Sequence, residues 1–318
     1  MNYIILLIGF ALLIKGADIF VDGASSIAKK IGIPPVIVGL TIVSIGTSAP
    51  ELAVSLISSL KGSNNLAIGN VVGSNLFNTL MVLGITTIVL PIIIHKEKVK
   101  MDFGVNLIAT VLLFIFVFDT IWGKSVNELS RIDGLILVIL CIAYMVLLVI
   151  KAKKTDMPKS EESMNINVVT KIILMVVGAA GIVIGGQFVV DSASNIASSL
   201  GMSEKLVGLT IVAMGTSLPE LVTSVIAALK GENEIALGNV LGSNIFNILL
   251  ILGTSSLISP IIVEQGLIID FSFLVIVTIL LFILVFFNKK EEKKLTKAEG
   301  ALLVALYAGY MIYIISRN

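Results

Sequence analysis

The chain has 318 residues, 57% hydrophobic and 14% charged, with a mean hydropathy of +1.07. An ordinary soluble domain carries roughly 25% charged residues, so that class is excluded and the bilayer is the expected solvent. A formal net charge of +1 gives no support to a nucleic-acid partner, and a single cysteine (Cys141) and a single histidine (His95) leave disulfides, cysteine clusters and histidine-rich metal sites without their residues.

A spanning helix takes about 20 apolar residues, so the length has room for roughly ten and for no sizeable extramembrane domain. Apolar stretches bounded by charges or turn residues predict helices over 3–27, 33–59, 64–93, 103–119, 132–150, 168–198, 204–229, 233–262, 268–287 and 299–316. The runs are too long for membrane strands and lack their alternation. The first follows Met-Asn-Tyr with no basic n-region and no clear cleavage site, so it is read as a retained span. It carries Lys15, the one buried cation candidate, and Asp18 and Asp22, where capping or an ion pair is as good a reading as a ligand role. After the third span, His95 adjoins Lys96-Glu97-Lys98 and reads as solvated. Residues 151–167, with Lys153, Lys154, Lys159, Glu161 and Glu162, read as a cytoplasmic linker between halves at 1–150 and 168–318.

With loops assigned alternately to the two faces, sixteen lysines fall on one side, among them Lys29, Lys30, Lys98, Lys153 and Lys230. Five basic residues (Lys61, Lys124, Arg131, Lys205 and Arg317) fall on the other. The positive-inside rule places the richer side in the cytoplasm and both termini outside a cell membrane crossed many times.

The halves are related. Leu40–Gly84 aligns without gaps on Leu209–Gly253 at an offset of 169, with 28 of 45 positions identical. Five spans per half is an odd number, so the second copy enters the membrane from the opposite side. The expected fold is therefore all-α: a polytopic membrane protein of ten transmembrane helices arranged as two inverted five-helix repeats. Such repeats are typical of secondary transporters, which bind substrate near the midplane on helices interrupted by Gly and Pro.

Each copy opens on the motif Gly46-Thr47-Ser48-Ala49-Pro50-Glu51 or Gly215-Thr216-Ser217-Leu218-Pro219-Glu220. A carboxylate in mid-span costs about 2.5–3.5 kcal/mol on insertion scales and marks a functional site by default. Pro50 and Pro219 break the helix beside it and free carbonyls around Gly46 and Gly215, while Ser48 with Glu51, and Ser217 with Glu220, have capping-box spacing. In the next span Asn70, Ser74 and Asn78 recur every four residues on one face, as do Asn239, Ser243 and Asn247. They serve either as ligands or as interhelical hydrogen-bonding glue, and Gly69 with Gly73 is spaced for close helix approach. Carboxylates, hydroxyls, amides and freed carbonyls are the oxygens that Ca²⁺ and Na⁺ take.

These doubled motifs resemble the paired alpha repeats of the cation/calcium exchanger superfamily, in its prokaryotic sodium/calcium exchanger branch. The resemblance implies that Glu51 and Glu220 hold Ca²⁺, with backbone oxygen from Thr47 and Thr216. It further implies Ser48, Ser74, Ser217 and Ser243 as hydroxyl ligands of flanking Na⁺ sites, Ser44 and Ala213 as carbonyl donors, and Asn78 and Asn247 beside the middle of the cluster. Members that require K⁺ carry Asp where Asn247 stands, which speaks against K⁺ dependence. Proton-coupled members lack the Thr-Ser-x-Pro-Glu form, which favours Na⁺ coupling.

The expected function is antiport of Na⁺ and Ca²⁺ by alternating access, with the ions as transported substrates, the lipid bilayer as surroundings, no prosthetic group and no obligate protein partner. The rival within transport is a Ca²⁺/H⁺ exchanger using the same two glutamates. A channel fits two glutamates on one pseudo-twofold axis less well than an enclosed site does. An intramembrane enzyme lacks a visible nucleophile and base.

Overall fold

The computed structural model describes residues 2–61, 64–123, 125–154, 167–201, 213–287 and 290–317. The first half contains α1 (Asn2–Ile31), α2 (Pro35–Thr47), α3 (Ala49–Leu60), α4 (64–89), α5 (Lys96–Val117) and α6 (Arg131–Lys154). The second contains α7 (Val168–Ser199), the short turn Ala213–Gly215, α8 (Leu218–Leu229), α9 (Asn233–Ile258), α10 (Ile268–Phe286) and α11 (Lys297–Arg317). Among the described residues eight helices are long and apolar enough to cross a membrane, and nine if the bent pair α2–α3 counts as one span. The expected span 204–229 is described only from Ala213 onward, and residues 155–166 of the expected linker lie outside the described residues.

Several boundaries differ from expectation. Pro91 follows α4, which ends at Val89, and Ile93–His95 forms a strand, β1, rather than more helix. The helix after it starts at Lys96, not 103, with the charged Lys96-Glu97-Lys98 run as its first turn. Short strands occur outside the spans. In the loops β1 pairs with β4 (Glu292–Lys294), and β2 (Glu128–Leu129) pairs with β3 (Ile261–Ile262), both antiparallel. Each pair joins a loop of one half to a loop of the other.

α4 and α9 are the most enclosed spans, because Gly, Ser and Asn at their contact positions let neighbours come close. A Cβ on Gly238 would stand 2.6 Å from the Val36 carbonyl oxygen, and one on Gly242 would stand 2.7 Å from that of Leu40, so α9 meets α2 backbone to backbone. The close approach expected at Gly69 and Gly73 is thus found at their twins, while nothing described lies within 4 Å of a Cβ built on Gly69 or Gly73. A second seam joins α1 to α7. A Cβ on Gly16 would come within 2.7 Å of the Ile182 nitrogen, and one on Gly185 within 2.5 Å of the Leu13 nitrogen. Backbone cannot yield as a side chain does, and overpacking costs about 1–3 kcal/mol. Gly185→Ala therefore lowers the melting temperature in detergent, whereas Gly309→Ala, in open space on α11, leaves it unchanged or raises it.

Two triads, each built on a buried aspartate, pin the outer helices. Tyr144 Oη donates to Asp102 Oδ1 (2.9 Å) and Lys151 Nζ to Oδ2 (3.2 Å), tying α6 to α5. Tyr310 Oη and Arg317 do the same for Asp270, at 2.8 and 2.7 Å, tying α11 to α10.

Candidate functional site

Pro50 and Pro219 stand in the first turns of α3 and α8. Lacking an N–H, Pro50 gives the Gly46 carbonyl no helical donor. The backbone turns at Ser48 (φ −82°, ψ 10°) and at Ser217 (φ −94°, ψ 5°), and α2 meets α3 at 50°. Glu51 and Glu220, both 0% exposed, therefore sit at fresh helix N-termini, where the backbone dipole favours negative charge.

The expected capping boxes do not form, since neither Ser48 nor Ser217 caps its own helix through its side chain. Each hydroxyl turns to the carboxylate of the other copy instead. Ser48 Oγ donates to Glu220 Oε1 at 2.7 Å, and Ser217 Oγ donates to Glu51 Oε1 at 2.9 Å. A hydroxyl aimed across the interface is not placed to accept from its own first turn, and a buried carboxylate is the stronger acceptor. Ser74 Oγ lies 2.9 Å from Ser217 Oγ, and Ser243 Oγ donates to Glu220 Oε1 at 3.3 Å.

The asparagine stripe divides into two roles. Asn70 Nδ2 donates to the Glu51 carbonyl (3.3 Å) and Ser55 Oγ (3.0 Å), and Asn239 repeats this on Glu220 and Ser224 at the same distances. These two brace the broken helices. Their Oδ1 atoms accept from the threonine of the opposite copy: Thr47 Oγ1 to Asn239 at 3.0 Å, and Thr216 Oγ1 to Asn70 at 3.4 Å. Among the described residues, buried Asn78 has no partner for either amide atom, while Asn247 Nδ2 donates to Asn75 Oδ1 at 3.0 Å and its own Oδ1 has none. Ser44 is buried and donates to the Thr41 carbonyl, and Ala213 opens the turn Ala213–Gly215.

Asn75 and Asn244 were not singled out by the sequence, because they lie off the four-residue stripe. Asn75 Nδ2 donates to the Asn244 carbonyl (3.1 Å), and Asn244 Nδ2 donates to Thr79 Oγ1 (2.8 Å), crossing between α4 and α9. Both helices widen to π-helix here, over Phe77–Val82 and Asn247–Leu252. Such bulges shift the helical register and recur at functional sites.

Among the described residues no cation pairs with Glu51 or Glu220. Among the described residues their Oε2 atoms have no hydrogen-bond partner. Lys15 is not the buried cation anticipated: it is exposed and pairs with Asp18 at 2.7 Å. Asp18 and Asp22 both meet Lys230, and Asp191 accepts from Gln187. Burial disfavours the Lys230 ammonium, but hydrogen bonds to those two carboxylates outweigh it and hold its pKa above the usual lysine value. His95 pairs with Glu292 at 2.9 Å. Two buried carboxylates ringed by hydroxyl and amide oxygens, with acceptor atoms unused, make an enclosed anionic site of the kind hard cations occupy.

The profile of the family described as "Sodium/calcium exchanger protein" matches residues 1–150 and 170–316. The chain belongs to the sodium/calcium exchanger family. It is 35% identical over 348 residues to the sodium/calcium exchanger MaX1 of Methanosarcina acetivorans, covering 98% of each chain. It is 36% identical over 265 residues to the inner membrane protein YrbG of Escherichia coli, covering 80% of this chain and 79% of that one. A solved structure of the sodium-calcium exchanger NCX_Mj, soaked with 2.5 mM Na⁺ and 0.1 mM Ca²⁺, superposes with a TM-score of 0.83 at 34% identity over 100% of this chain and 98% of that one. Like its relatives, this member of the exchanger family is an all-α, multi-pass membrane protein for cation transport and not an enzyme.

Proposed function

We propose that the chain is a secondary antiporter that exchanges Na⁺ for Ca²⁺ by alternating access. The observation that carries this is the pair Glu51 and Glu220, fully buried, free of any cationic partner among the described residues and each reached by a serine of the other copy. Two carboxylates supply about two negative charges, which suit one Ca²⁺ or several Na⁺ sharing the same oxygens. Competition for those oxygens couples the two fluxes. Ser48, Ser217, Ser74 and Ser243 supply hydroxyls, Ser44, Thr47, Ala213 and Thr216 backbone oxygens, and Asn78 and Asn247 amide oxygens.

In this proposal two inverted repeats, 1–150 and 168–318, supply five spans each. The linker 151–167 and the lysine-rich loops face the cytoplasm, and both termini lie outside. Support comes from the offset of 169 that relates Ser48 to Ser217 and Glu51 to Glu220, so that the two hydrogen bonds exchange under it.

Uptake of radiolabelled Ca²⁺ into proteoliposomes tests the coupling. An outward Na⁺ gradient should drive it at constant pH, and collapsing the pH gradient should leave it unchanged. Uptake that ignores Na⁺ and follows an imposed pH gradient would replace this proposal with Ca²⁺/H⁺ exchange at the same glutamates.

A further inference from the structure

Asn247 is buried one turn beyond Ser243, the serine that donates to Glu220, on a π-helical stretch that packs against both α3 and α4. An amide offers a cation two opposite faces: its oxygen attracts, and its N–H donors repel. Which of them Asn247 presents depends on how the side chain is held.

A short chain of hydrogen bonds decides this. The Asn244 backbone carbonyl can only accept, so the Asn75 atom 3.1 Å from it is Nδ2. That leaves Asn75 Oδ1, which can also only accept, and the Asn247 atom 3.0 Å from it is accordingly Nδ2. Asn247 Oδ1 is thereby turned away from Asn75, and among the described residues it has no partner. Asn75 is itself buried.

The first copy lacks this arrangement. Under the offset of 169 the matching bond would run from Asn78 Nδ2 to Asn244 Oδ1, and among the described residues neither atom has a partner. Asn244 Nδ2 donates instead to Thr79 Oγ1 at 2.8 Å, and the residue matching Thr79 in the second copy is Ile248. Both Asn75 and Asn244 therefore bridge α4 and α9, as interhelical glue would. Only Asn75 also grips an amide of the candidate site.

We propose that Asn75 is a positioning residue for cation binding: it holds Asn247 with the amide oxygen, and not the amide nitrogen, presented to the ion. This deepens the exchange reading and rests on it for the presence of an ion at Asn247. Asn75 does not touch the ion and acts through its neighbour. A ligand already held by an outer partner gives up less freedom when the ion arrives, and loss of such partners commonly weakens metal binding about 10–100-fold.

Calorimetric titration of the purified full-length protein with Ca²⁺ in detergent tests this. Asn75→Ala should raise the dissociation constant about tenfold. Asn75→Leu, which fills the space without an acceptor, should give the same rise and serves if the alanine variant does not fold. Asn244→Ala removes an equally buried bridge that ends on Thr79, and should change the constant by less than about twofold. Because Asn75 acts through Asn247, adding Asn75→Ala to Asn247→Ala should weaken binding no further. An unchanged constant in both position-75 variants, an equal rise in Asn244→Ala, or a full additional loss in the double variant would each overturn the proposal while leaving the exchange reading intact. Wild-type protein that binds no Ca²⁺ would instead remove the exchange reading, and this proposal with it.

Discussion

Glu51→Gln and Glu220→Gln each reduce Na⁺-driven uptake of radiolabelled Ca²⁺ by about 100-fold. The amide keeps shape and hydrogen bonding but removes one of two buried charges. A lost charged ligand worth about 3 kcal/mol corresponds to two decades, at about 1.4 kcal/mol per decade. Because neutral Gln is easier to bury than an unpaired carboxylate, the variants should fold at wild-type yield. Uptake that survives in both would remove these residues from the site. Ser48→Ala and Ser217→Ala, which each take one hydroxyl from the opposite carboxylate, should have smaller effects of about 1–2 kcal/mol.

The second large effect concerns stability. Asp102→Ala leaves Lys151 and Tyr144 facing each other without their shared acceptor, and Asp270→Ala does the same to Arg317 and Tyr310. Both aspartates are buried, at 0% and 2% exposure, while the cations left behind are 27% and 29% exposed and can be hydrated, so losing the shared acceptor costs about 1–3 kcal/mol, chiefly through the buried tyrosine hydroxyl. Thermal unfolding in detergent should show a large fall in midpoint for either variant. In the Asp102→Asn/Lys151→Met double variant, which removes both charges, much of that loss should be recovered. A midpoint unchanged by Asp102→Ala would mean that α5 and α6 are held by apolar packing alone.

What could be read from the residues follows a physical pattern. Glu51 and Glu220 stand out because charge is rare at membrane depth, and their prolines mark the helix breaks without reference to a fold. The repeat is visible because 28 of 45 aligned residues persist. What could not be read is mostly the pairing of distant groups. Ser48 has capping-box spacing to Glu51, and only the folded chain reveals that its proton goes to Glu220, 172 residues away. Asp102 and Tyr144, 42 residues apart, carry no local signal of their contact. Asn75 and Asn244 each stand one residue past the serine of the stripe, in regular helix, and so escaped a pattern drawn at four-residue spacing; the π-helical stretches that follow, Phe77–Val82 and Asn247–Leu252, have no composition of their own. Lys15, by contrast, misled: its position within an apolar run suggested burial, but its face of α1 points outward.

The exchange of serines between the copies also constrains how this sequence can drift. Ser48 answers to Glu220 and Ser217 to Glu51, so a change at either serine is felt by a carboxylate encoded in the other half of the gene. Substitutions tolerated at position 48 should track those at 220 more closely than those at 51, three residues away. Neither half, made as a separate polypeptide, keeps the serine of its Thr-Ser-x-Pro-Glu motif together with the carboxylate that this serine meets. A single-copy ancestor with these motifs would have completed its serine–carboxylate pairs only by pairing with a second copy of itself.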